Sequence, residues 1–100
     1  MERSGAPALL AWLRDRTPAM AGLLERLARA ESPSDDAVAQ QQVFVILEEL
    51  LAGLGFAVER IPGQQRGDHL LARHDNGSGP RQLLLGHLDT VWPVGTLERM

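Results

Sequence analysis

A chain of 100 residues, 44% hydrophobic and 23% charged, has room for one small domain and is too apolar for wholesale disorder. Its net charge of −3 and isoelectric point near 5.5 argue against a nucleic-acid or anionic-membrane partner. With no cysteine, a disulfide framework, a thiolate metal site and a cysteine nucleophile are excluded, so any metal must use imidazole and carboxylate ligands.

Residues 1–7 read as a flexible N-terminus, and residues 8–100 as one folded portion. The patch Leu9-Leu10-Ala11-Trp12-Leu13 is broken by Arg14-Asp15-Arg16, too short for a signal-peptide core or a membrane span. A cytoplasmic location is the expectation. Leu9, Leu10, Leu13, Leu23, Leu24 and Leu27 recur at three- and four-residue spacings and predict helix over 8–30. Thr17-Pro18 interrupts that pattern. Either Thr17 caps a second helix with Pro18 at its first position, or one long helix kinks there.

Glu31-Ser32-Pro33-Ser34-Asp35-Asp36 predicts a loop and a helix start, with Asp35 and Asp36 as capping and dipole residues. Val43, Phe44, Ile46, Leu47, Leu50, Leu51 and Leu54 give the next helix a wide buried face, with Glu48 and Glu49 outside. Gly53 and Gly55 supply its left-handed stop. The period then changes to strand type. Residues 56–61 form one predicted strand and residues 68–74 another, with His69 and His74 on opposite faces as solvated or hydrogen-bonded side chains. Asp75-Asn76-Gly77-Ser78-Gly79-Pro80 is a turn by composition.

A third strand is predicted over 81–86. Leu83, Leu84 and Leu85 in succession are apolar on both faces, the pattern of a central strand covered on both sides. Two helices and two flanking strands barely supply that cover, so the sheet reads as one completed by more chain.

That strand ends at Gly86 and is followed at once by His87-Leu88-Asp89-Thr90. In extended backbone, alternate residues share a face, so His87 and Asp89 point the same way. A neutral imidazole binds a metal such as zinc, and a carboxylate on its other nitrogen fixes the tautomer and raises its basicity. Ligands in open α/β sheets gather at such carboxyl ends of strands. By itself the pair also suits a structural histidine at a strand end. A kinase catalytic loop would carry arginine where Leu88 stands, and a metallo-β-lactamase-type site would place a second histidine close by. Trp92-Pro93 predicts an extended exit, with Trp92 either packing the loop or bordering a cleft.

The whole string Leu83-Leu84-Leu85-Gly86-His87-Leu88-Asp89-Thr90-Val91-Trp92-Pro93-Val94-Gly95-Thr96-Leu97 resembles the first signature of the two-zinc aminoacylase/carboxypeptidase family of metallopeptidases, within it most the glutamate carboxypeptidase branch. Ala30-Glu31-Ser32-Pro33-Ser34, Leu54-Gly55-Phe56 and Gly67-Asp68-His69-Leu70-Leu71-Ala72-Arg73 match the family in order and spacing, so the resemblance runs from about Leu9 onward. It implies an α/β fold, the N-terminal part of a zinc-exopeptidase-like catalytic domain: two helices followed by three strands of a mixed sheet. His87 would then be a zinc ligand and Asp89 the catalytic-site carboxylate that orients it, with Glu31 a structural marker.

The implied cofactor is two zinc ions in the complete enzyme, with cobalt or manganese accepted by the same ligand types. The implied reaction is hydrolysis of an amide bond by a metal-activated water, releasing a C-terminal amino acid from a small peptide or N-acyl amino acid. Nucleic acid and membrane are not expected partners, and a homodimer through a domain outside these residues is. One histidine cannot perform the reaction, so these residues alone are expected to be inactive. The alternative is a truncated, non-catalytic α/β module that serves in binding or interaction.

Overall fold

The leucine periodicity resolves into two helices before the first loop. The computed structural model of the chain describes residues 5–64, 67–75 and 77–100. Helix α1 spans Gly5–Asp15 and α2 spans Thr17–Ala30. Thr17 does not cap α2. Arg16 occupies the N-cap without a side-chain bond, and Pro18 lies in the first turn, where its missing N–H costs no helical bond. Gly5 to Pro7, expected in the flexible leader, form the first turn of α1, while residues 1–4 of that leader lie outside the described residues. Neither helix buries a residue, and the Arg16 guanidinium lies 3.7 Å over the Trp12 ring.

Helix α3 begins later than the sequence suggests, at Gln41–Gly53. The stretch before it is a set of turns in which Asp36 Oδ1 accepts the Ala39 N–H at 2.9 Å, so Asp36 caps a turn that leads into α3. At the other end, Gly55 with φ +93° donates to Ala52 O, and Phe56 donates to Leu51 O. This pair of bonds closes the helix with a left-handed residue, and glycine is the residue that takes that conformation without a Cβ penalty. Gly53 stays helical.

Strands β1 (Ala57–Ile61) and β2 (His69–Arg73) form an antiparallel pair with Ala57 opposite Arg73 and Ile61 opposite His69. Alternation along β1 turns Val58 and Arg60 inward, and their partners Ala72 and Leu70 share that face. Helix α3 covers it. Arg60 is half-buried there. Its guanidinium lies 4.8 Å over the Phe44 ring and bonds both carboxylate oxygens of Glu48 and the amide oxygen of Gln41. Glu48, read from sequence as a solvated residue, is therefore a partner of the sheet.

The expected third strand is absent. Residues 81–86 pair with no described strand, and Leu83, Leu84 and Leu85 are 84%, 93% and 91% exposed. A strand exists only where a neighbour accepts its ladder of N–H and C=O groups. Without that neighbour the segment is coil, and the sheet is a two-stranded hairpin instead of a three-stranded mixed sheet. Of the turn preceding it, Gly77 donates to Asp75 Oδ1 at 3.0 Å, while Asn76 lies outside the described residues.

The interior is correspondingly small. Among the described residues, Val43 and Phe44 are the buried apolar side chains, joined by buried Ser32, Pro33 and Gln40 where the start of α3 meets the loop after α2. The radius of gyration is 16.4 Å, against about 13 Å for a compact domain of this size. Among the described residues no helix is long and apolar enough to cross a membrane.

Candidate functional site

Two loops distant in sequence are laced together around His87 and Asp89. Ser34 N–H donates to Thr90 O and Thr90 N–H to Ser32 O, both at 2.8 Å, making a parallel bridge between Pro33 and Thr90. In such a bridge the bonds come from the residues flanking Pro33, so the proline's missing N–H costs nothing. Ser32 Oγ adds a bond to Leu88 O at 2.5 Å. Ser34 Oγ reaches Asp89 Oδ2 at 2.5 Å and Thr90 O at 3.0 Å. Behind them, the buried Gln40 amide donates to Pro33 O at 2.7 Å. Its carboxamide oxygen lies where a Cβ on residue 67 would be, so this close approach needs Gly67.

The imidazole of His87 is exposed, and its orientation is set by its own loop. Nδ1 lies 3.0 Å from Asp89 O and 3.3 Å from Asp89 Oδ1. Both neighbours are acceptors, so Nδ1 carries the proton in the neutral ring and Nε2 keeps its lone pair. That is the tautomer a metal ligand through Nε2 needs. The Asp89 carboxyl is held below its ordinary value, chiefly by the Ser34 hydroxyl, with its own backbone N–H and His87 adding to the effect against some desolvation.

Glu31 braces the far side of the same loop. It ends α2 with φ +47°, and its carboxylate accepts Gly95 N–H at 2.9 Å and Leu97 N–H at 3.1 Å. Those two backbone donors lower its pKa, with Arg99 adding a smaller attraction. An open crevice of about 840 Å³ separates the start of β2, with Asp68 and His69, from residues 85–89. His69 lines it and is exposed, whereas His74 packs edge-on against Phe56 with ring centroids 5.3 Å apart. Trp92 is 64% exposed and does not line the crevice.

No family model and no solved structure matches the chain. Curated proteins do match. Carboxypeptidase G2 of Pseudomonas sp. (strain RS-16) is 33% identical over 87 residues, covering 85% of this chain and 21% of the relative. Succinyl-diaminopimelate desuccinylase of Leptothrix cholodnii is 37% identical over 86 residues, covering 82% and 21%. The chain is a distant, partial homologue of these two proteins, which belong to the aminoacylase/carboxypeptidase family of metallopeptidases. Members of that family are metal-dependent hydrolases that generally use zinc. The chain spans about a fifth of the length of the curated relatives it matches.

The donor chemistry fits one corner of such a metal site. His87 offers a free imidazole nitrogen with its tautomer fixed, but among the described residues no three His, Asp or Glu side chains converge. The structure brings His87 and Asp89 together as their spacing predicts. Ser32, Ser34 and Gln40 were not legible as site residues. They stand about 50 positions away, and the hydroxyls carry the ordinary signature of a helix start.

Proposed function

We propose that these residues are the opening portion of a metal-dependent amide-bond hydrolase of glutamate carboxypeptidase type, inactive without the remainder of the enzyme. The observation that carries the reading is relatedness at 33% and 37% identity to a carboxypeptidase and a desuccinylase, spanning most of this chain. The oriented imidazole of His87 supports it.

In this reading His87 would hold a zinc ion through its unprotonated Nε2, with Asp89 fixing the ring through Nδ1. The metal, when bound, polarises the scissile carbonyl and lowers the pKa of a water. Asp89 would keep the ring proton on Nδ1, leaving the Nε2 lone pair free, and hold the ring in one rotamer, the part that an outer-shell carboxylate plays at about 10–100-fold in affinity or activity. The crevice beside residues 85–89 admits a small N-acyl amino acid or peptide. The general base and the remaining ligands come from chain outside these residues.

The test is hydrolysis by the complete polypeptide carrying this segment, with N-acyl glutamates and N-succinyl diamino acids as competing substrates. Release of glutamate that stops on chelation and in His87→Ala is the expected result. Preference for the succinyl substrate would move the protein to the desuccinylase branch. Hydrolysis indifferent to both chelation and His87→Ala would remove the reading.

A further inference from the structure

We infer that Ser34 is a positioning residue for the candidate site: its hydroxyl clamps the Asp89 carboxylate so that the opposite oxygen stays on the His87 ring. The inference rests on the reading of His87 as a metal ligand and adds a layer behind it, contributed by the loop that follows α2.

The geometry is a relay of three side chains. The Ser34 hydroxyl has one proton and two acceptors within reach, Asp89 Oδ2 at 2.5 Å and Thr90 O at 3.0 Å. The shorter contact, to a charged acceptor, takes the proton. Oδ2 is thereby fixed, which turns Oδ1 toward His87 Nδ1 at 3.3 Å. An aspartate side chain has two torsions, χ1 with three staggered wells and a broad χ2, so an unclamped Asp89 would sample several χ1 wells as well as rotate its carboxylate. Ser34 does not share that freedom. Its N–H is bonded to Thr90 O, Pro33 before it has a locked φ, and Pro33 O is held by the buried amide of Gln40. The residues 32–34 act as a splint along residues 88–90, with Ser32 fixing the backbone and Ser34 the side chain.

One acceptor remains when Ser34 is lost, because Asp89 O also faces Nδ1 at 3.0 Å. The effect of Ser34 is thus a change in tautomer ratio and in Asp89 order, without collapse of the loop.

The test is nitrogen-15 NMR of the histidine rings in the full chain above the imidazole pKa, with His87 assigned by His87→Gln. Wild type should show Nδ1–H as the major tautomer, and Asp89 scalar couplings should report one staggered χ1. Ser34→Ala should raise the Nε2–H share by about twofold to tenfold, the span of one net hydrogen bond, and average the Asp89 couplings. Ser34→Thr, which keeps the hydroxyl, should restore both. A tautomer ratio in Ser34→Ala equal to wild type overturns the role of Ser34 alone. In the complete polypeptide carrying this segment, where the remaining ligands are present, excess zinc chloride that leaves the His87 Nε2 resonance untouched overturns the ligand reading instead.

Discussion

Glu31 and Gly95 meet through a carboxylate oxygen and a backbone N–H at 2.9 Å, across 64 residues of sequence. With the Leu97 N–H on the other oxygen, one side chain at the end of α2 holds the loop that follows His87 and Asp89. Those donors lower the pKa of Glu31, so its contribution is fully present above the ordinary value of 4.5 and is lost as pH falls through the depressed value. Amide shifts of Gly95 and Leu97 should titrate together below the ordinary glutamate range. Glu31→Ala should remove that titration and speed hydrogen exchange at both amides. Unchanged exchange would mean the loop holds itself.

Gly67 and Gln40 share a contact that leaves no room for a Cβ. Gly67→Ala should therefore destabilise the chain by about 1–3 kcal/mol in denaturant titration. Combining it with Gln40→Ala should cost less than the sum of the two single changes, because both act at one contact. Simple additivity would contradict the packing described.

Arg60 is stacked on Phe44 and forked onto Glu48. Arg60→Ala should cost about 1–2 kcal/mol, and Arg60→Lys should recover little of it, since an ammonium provides neither the fork nor the planar stack. Full recovery by lysine would show that only the charge matters.

Much of this arrangement is legible from local pattern. The leucine spacings of α1 and α2, the stop at Gly55, and the alternation of Val58 and Arg60 are properties of neighbouring residues, and the structure follows them. His87 and Asp89 are legible for the same reason, being two apart. The bonds from Ser32, Ser34 and Glu31 to residues 88–97 are not. They depend on two loops meeting, and no period in either loop announces it. The strand over 81–86 departs from the structure in the opposite way: its pattern is that of a buried strand, but the described residues offer it neither partner nor cover.

Leu84, 93% exposed, should tolerate replacement by alanine within about 0.5 kcal/mol in this chain, and the change should reduce self-association in sedimentation. In the full-length hydrolase proposed above, where the strand would be covered, the same substitution should cost about 2–5 kcal/mol. Equal costs in the two settings would refute the idea that further chain covers this strand.

The most direct measurement is the zinc stoichiometry of that full-length hydrolase, wild type against His87→Ala, by equilibrium dialysis. Wild type should bind two equivalents, and His87→Ala should lose or markedly weaken one of them with its helical content unchanged. Two equivalents retained with undiminished affinity in the variant would show that His87 is not a ligand.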